Sequence, residues 1–143
     1  MTYHNEVRDW HIRLALAFVV LAVFGGTLAA PFVYDDHALL VDESITSADG
    51  WWRVWRPMQT RPLTYFTFWI NHRLGGADAA GYHAVNLGLH LGAALLLLEV
   101  LARLIPKRAA IAAAFLFALH PLAVEPVAYV FARSTLLATV LSL

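Results

Sequence analysis

Tyr34-Asp35-Asp36 sets two neighbouring carboxylates directly after a long apolar stretch. At a membrane surface such a pair can serve as a general base, because partial burial and mutual repulsion raise a carboxyl pKa. The same pair could hold a divalent cation through its oxygens, and the plainest alternative is a solvated loop. His83, Asn86 and His90 recur at a spacing that puts them on one helix face. Polar side chains inside a membrane helix are costly and turn toward protein or a cavity. Three uses fit them: hydrogen bonds between helices, the wall of an active site, or axial ligation of a haem or chlorin by His83 or His90. Glu125, Tyr129 and Arg133 fall four apart, which on one helix would align a carboxylate, a phenol and a guanidinium in a buried polar network. Arginine is also the natural fork for a phosphate. Arg61, at the head of an apolar segment, could snorkel to lipid headgroups or bind a lipid-linked phosphate.

These residues sit in an unusual background. The 143 residues are 60% hydrophobic and 14% charged, where soluble domains run at about 45–50% and about 25%. That composition is a membrane protein's. Ten basic residues balance ten acidic ones, and the lack of a basic excess argues against nucleic acid, whose binding rests on phosphate neutralisation. The absence of cysteine excludes disulfides, Cys-ligated zinc, iron–sulfur clusters and thiolate catalysis together. No metal is expected.

The elements that must position the candidates follow from uncharged runs. A span needs about 20 apolar residues. The first is read at 12–30, stopped by Pro31, with a cleaved signal peptide as the competing reading. An external loop over 31–79 follows. It holds an acidic stretch and then Trp51, Trp52, Arg53, Trp55 and Arg56, a surface segment ended by Pro57. Leu63–His72 is too short to span and suits an interfacial helix, with Thr64, Thr67 and Asn71 as a polar stripe and Leu74-Gly75-Gly76 as its stop. Further spans are read at 80–105 and, interrupted by Pro121, at 109–124. Gly88 and Gly92 make a small-residue face on the former. The last segment has two registers, beginning at 125 or at 134 and running to 143. The first buries Arg133 near the midplane and the second is too short to cross. Either register makes neighbouring helices the expected shield for Arg133.

The fold class is thus an all-α integral membrane protein, a single module over 1–143 with three transmembrane helices, a partial or terminal fourth, and one or two interfacial amphipathic helices in the first external loop. Arg8, Arg13, Arg103, Lys107 and Arg108 flank the spans on one side, which predicts a cytoplasmic amino terminus and an outward first loop.

The motifs, taken in order, resemble a known family. Tyr34-Asp35-Asp36 is followed by Arg61-Pro62-Leu63-Thr64 and Leu74-Gly75-Gly76. Next come Tyr82-His83-Ala84-Val85-Asn86-Leu87-Gly88-Leu89-His90 and Phe117-Ala118-Leu119-His120-Pro121, and then Glu125-Pro126-Val127-Ala128-Tyr129 and Arg133-Ser134. The series resembles the amino-terminal part of the transmembrane, tetratricopeptide-repeat O-mannosyltransferases and their bacterial relatives, of the GT-C class. The resemblance implies transfer of a sugar from a polyprenyl-phosphate carrier outside the cytoplasm. It implies Asp35 or Asp36 as the catalytic residue and Arg61, His90, His120 and Arg133 as contacts for the carrier phosphate. His83, Asn86, Glu125 and Tyr129 remain the polar network. Because that family has many more spans, the expectation for 143 residues is a small accessory subunit with a truncated GT-C-like module, packed among the helices of a larger complex of respiratory or photosynthetic type, in a bacterial inner membrane. The alternative is a fragment or split form of the glycosyltransferase. Expected partners are membrane lipids, other membrane helices and a polyprenyl-phosphate sugar. No cofactor is expected, apart from a haem or pigment on His83 or His90 in the third reading.

Overall fold

The computed structural model describes residues 6–55 and 61–143, with side chains described from Trp10 onward in the first helix. Arg56 and the stop at Pro57 lie outside the described residues, as does the side chain of Arg8. Among the described residues the chain is helical, without strands.

Helix α1 runs Glu6–Phe24 and gives way at Gly25-Gly26 to a 3-10 turn, Gly25–Ala29, just before Pro31. The loop after it holds a 3-10 stretch, Tyr34–Leu40, and two one-turn helices, α2 (Glu43–Thr46) and α3 (Gly50–Arg53). Asp42 caps α2 by accepting from the Ser44 amide at 2.8 Å. Helix α4, Pro62–Gly75, begins on a proline, whose missing N–H costs nothing in the first turn. It ends at Gly76, whose φ of 62° reverses the chain in a conformation that suits glycine. Helix α5, Ala79–Leu104, starts where the Asp78 carboxylate accepts from the Ala80 amide, and stops before Pro106. The rest is broken: α6 (Lys107–Ala118), α7 (Val124–Ala128) and α8 (Arg133–Ser142), joined by the 3-10 turns Pro121–Ala123 and Val130–Ala132.

Two segments are long and apolar enough to cross a membrane, Trp10–Ala29 and Ala79–Leu104. A third crossing exists only if α6 and Pro121–Ala128, bent 49° apart, count as one span. The three full spans and partial fourth expected from sequence therefore reduce to two, or three with the bent pair. The cause lies in Pro121 and Pro126, which remove two amide donors within six residues and stop a straight helix. Of the two expected registers of the last segment, the one beginning at 134 agrees to within a residue: helix α8 begins at Arg133, and the chain between Tyr129 and Ala132 is not α-helical.

Helix α5 is the central post, touching α1, α4, α6, α7 and α8. Leu16, Val20 and Phe24 of α1 pack on Leu87, Ala94 and Leu98 of α5, with Ala114 and Ala118 of α6 and Val127 of α7. The alanines let α6 approach closely. A second core joins the loop to the bundle through Phe32, Leu39, Ile45, Phe68, Tyr82 and Val130. Arg13 pairs with Glu99 at 2.6 Å between α1 and α5, but both side chains are about half exposed and such pairs contribute little.

The loop itself is folded. Trp69 of α4 donates its indole N–H to the Ser47 carbonyl at 3.0 Å, and Arg53 bonds Glu43 at 2.7 Å and Asp49 at 3.1 Å. Trp51, Trp52 and Trp55 stay exposed, as expected for a surface segment, although α3 is only a single turn. Gly50 is wedged in this joint. A Cβ there would strike the Ser44 carbonyl oxygen and lie 2.9 Å from Cδ1 of Trp69. Gly50→Ala is therefore expected to destabilise the loop by about 1–3 kcal/mol, read as earlier proteolytic cleavage between residues 40 and 55. Unchanged cleavage would show that α2 and α4 do not pack across Gly50.

Candidate functional site

The adjacent aspartates point in opposite directions. Asp36 is fully buried. Its Oδ1 accepts from the Phe131 amide at 2.8 Å, and its Oδ2 accepts from the Val130 amide at 3.4 Å and the Val33 amide at 3.3 Å. It thus closes the loop's first turn and ties it to the turn before α8. Asp35 is exposed, and its Oδ2 accepts a 3.1 Å bond from the Tyr129 hydroxyl. Burial, and then the Asp35 carboxylate, push the Tyr129 phenol up from its ordinary value, so that it stays protonated and donates. Tyr34, which precedes the pair, has a φ of 48° and is the only non-glycine residue in the left-handed region among the described residues.

Asp35 opens onto a cavity of about 570 Å³ lined by Val33, Tyr34, Val124, Glu125, Ala128 and Tyr129. Glu125 is exposed there, facing Asp35 across the cavity wall and not pairing with Arg133. On the other side of α7 lies a second cavity, about 450 Å³ and mostly apolar. Leu116, Phe117, Leu122, Pro126 and Leu136 line it, with His90 and His120. The five residues of α7 form the partition.

Glu125, Tyr129 and Arg133 do not share a helix face, which corrects the expectation from their spacing. The helix ends at Ala128, so each side chain goes its own way. Arg133 is fully buried. Its Nε donates to Asn86 Oδ1 at 2.7 Å, Nη1 to Thr67 Oγ1 at 3.2 Å and Nη2 to the Tyr82 carbonyl at 3.0 Å. The guanidinium also lies 4.4 Å from the Phe68 ring centroid, a cation–π contact. The shielding expected from neighbouring helices is supplied by α4 and α5 of the same chain. Arg133 therefore stands with the polar network, and each of its three side-chain nitrogens donates to a protein oxygen.

The α5 face at His83, Asn86 and His90 turns inward as its spacing predicts. Asn86 Nδ2 donates toward the Pro126, Tyr129 and Val130 carbonyls at 3.2, 3.3 and 3.5 Å. His90 Nε2 lies 2.9 Å from the Ala118 carbonyl, at the end of α6. Among the described residues the Pro126 and Ala118 carbonyls have no amide partner in the broken helix, and in lipid each would cost several kcal/mol, whereas the Tyr129 and Val130 carbonyls also accept from the Ala132 and Arg133 amides. One of the two His90 nitrogens that could ligate a haem or chlorin, Nε2, is thus committed. His83 is fully buried, and neither ring nitrogen has a hydrogen-bond partner among the described residues. No cluster of three or more metal-ligating side chains occurs among the described residues.

Arg61 and His120, the other two phosphate candidates, are exposed. His120 Nδ1 accepts from the Leu122 amide at 3.2 Å, which leaves Nε2 as its donor. Arg61 sits over the ring of Phe131, 5.8 Å from its centroid, and Phe131 in turn packs on Tyr129. Asp35, Tyr129, Phe131 and Arg61 therefore form one continuous surface. Sequence reasoning did not single out Thr67, Tyr82 or Phe68 as partners of Arg133. The inward polar stripe of α4 that begins Thr64, Thr67 carried the only signal.

A cavity that carries two carboxylates, set against a helix bundle with a polar inner face, defines a helical membrane protein with a candidate site on its first loop. Comparison with known proteins narrows this. The chain is 32% identical to protein O-mannosyl-transferase F38B6.6 of Caenorhabditis elegans over 95% of its length, 37% identical to Tmtc1 of Drosophila melanogaster over 85%, and 32% identical to human TMTC4 over 87%. It belongs to the TMTC family of protein O-mannosyl-transferases. It spans 23%, 16% and 21% of the length of those relatives. No family model and no solved structure matches the chain.

Proposed function

We propose that this chain is the first-loop catalytic module of a polyprenyl-phosphate-dependent O-glycosyltransferase, with mannose as the sugar. The observation that carries the reading is the divergence of the two aspartates. Asp36 is consumed in holding the loop, so Asp35 is the carboxylate free to act in the cavity. In the reaction, an acceptor hydroxyl attacks the anomeric carbon while its proton passes to Asp35. The new carbon–oxygen bond forms as the bond from that carbon to the carrier phosphate breaks, and the phosphate leaves with the electron pair. The departing charge needs fixed cations, a role we assign to Arg61 and His120, which are exposed. Arg133 and His90 Nε2 donate to protein oxygens, and both residues are assigned to holding the fold. The apolar cavity beyond α7 suits the carrier's isoprenoid tail. An outward first loop follows from the basic flanks of the spans, and the relatives' names as O-mannosyl-transferases support the sugar.

The competing reading, an accessory subunit of a larger complex, rested on the family's many more spans and, in part, on Arg133 needing foreign helices to cover it. Asn86, Thr67 and Tyr82 cover it instead. The test is transfer of radiolabelled mannose from polyprenyl phosphate to serine- and threonine-containing peptides by membranes carrying the full-length protein. Transfer that depends on Asp35 supports the reading. Absence of transfer from every polyprenyl-linked sugar tried would sink it.

A further inference from the structure

Tyr34 carries two costs with no return inside the chain. Its backbone adopts φ 48°, a region that disfavours side chains with a Cβ by about 1–2 kcal/mol. Its side chain is 88% exposed, and among the described residues it makes no hydrogen bond or ring contact. The turn at Tyr34 needs only the backbone conformation, and glycine would adopt it without strain. The phenol ring therefore adds nothing to the turn. It does line the Asp35 cavity, together with Asp35, Glu125 and Tyr129. Strained backbones persist where the conformation presents a group for use.

Resting on the glycosyltransferase reading, we infer that Tyr34 is the stacking platform for the donor's pyranose ring. A hexose has a face of C–H bonds that packs on an aromatic ring, and a rim of hydroxyls that hydrogen-bonds to carboxylates. Tyr34 offers the first surface, and Asp35 with Glu125 the second. A ring standing free of its own protein is open on a face for the sugar. The sugar then sits within reach of Asp35, which is the next residue in the chain.

The test compares Tyr34→Gly, Tyr34→Leu and Tyr34→Phe in the full-length protein reconstituted in nanodiscs. Binding is measured for polyprenyl phosphate with and without mannose, alongside thermal unfolding. Tyr34→Gly is expected to unfold no earlier than the native protein, because the strain is relieved. It is expected to bind the mannosylated carrier about tenfold more weakly, a typical worth for one aromatic contact, with the bare carrier unchanged. Tyr34→Leu should show the same selective loss, and Tyr34→Phe should retain native affinity. Equal loss for both carriers would mean that Tyr34 meets the lipid surface and not the sugar, and unchanged affinity for both would mean that it meets neither. Either result overturns the inference alone. A native protein that binds neither carrier, or does not distinguish them, overturns both the inference and the function on which it rests.

Discussion

Asp35→Asn is expected to abolish sugar transfer and leave the fold intact, whereas Asp36→Asn unfolds the loop first. The first change keeps the shape and the Tyr129 hydrogen bond to an oxygen but removes the proton acceptor. General-base catalysis of this kind contributes about a hundred- to ten-thousandfold, so the turnover should fall in that range while carrier binding holds. At Asp36 the amide group can present only one oxygen where two accept from Val33, Val130 and Phe131. Its NH₂ would face a backbone N–H. Losing one such charge-assisted bond costs on the order of 1.5–3 kcal/mol. The expected signature is a lowered unfolding midpoint, with activity falling in parallel. If instead Asp36→Asn were the folded, inactive protein and Asp35→Asn the active one, the assignment of the two carboxylates would be reversed.

The largest effect on stability is expected at Asn86. Its oxygen accepts from Arg133 Nε, and its nitrogen serves the carbonyls of Pro126, Tyr129 and Val130. Asn86→Ala leaves a buried guanidinium short of a partner and the Pro126 carbonyl without a donor, at about 3–5 kcal/mol. Arg133→Met should cost less, about 1–3 kcal/mol, because it removes the charge and orphans only neutral groups. Arg133→Lys keeps the charge but not the three-pronged geometry that reaches Asn86, Thr67 and Tyr82 together. The double change Asn86→Ala with Arg133→Met should cost measurably less than the sum of its parts. Unfolding of the full-length protein in mixed micelles of increasing SDS content measures all four. Strict additivity would show that Asn86 and Arg133 do not act as a unit.

Both long spans could be read from sequence, because uncharged runs and their flanking prolines and glycines are local signals. Leu74-Gly75-Gly76 marked the end of α4 for the same reason. The inward face of α5 was also legible, since His83, Asn86 and His90 recur at helical spacing and polar groups avoid lipid. The face shared by Glu125, Tyr129 and Arg133 was misread because periodicity assumes a continuous helix. The chain leaves the α-helix at Tyr129, and the three side chains diverge by that one break. The two aspartates could be found as a pair but not told apart. Their difference lies in partners 94 or 95 positions away, the Tyr129 hydroxyl for Asp35 and the Val130 and Phe131 amides for Asp36, which no local pattern announces. The shield around Arg133 was hidden for the same reason. Thr67 and Tyr82 lie 66 and 51 positions from it, and only the tertiary fold brings them close.

The bond from His90 to the Ala118 carbonyl also sets an order of events during biogenesis. The segment from Lys107 to Ala132 reaches the bilayer with its kink already encoded, and its stranded carbonyls find their donors on the helix synthesised just before it. A nascent chain in which that helix has been delayed or misoriented would hold the kinked segment at the interface, where water can solvate it. Quality control would then act on this hairpin before any later part of the polypeptide is threaded.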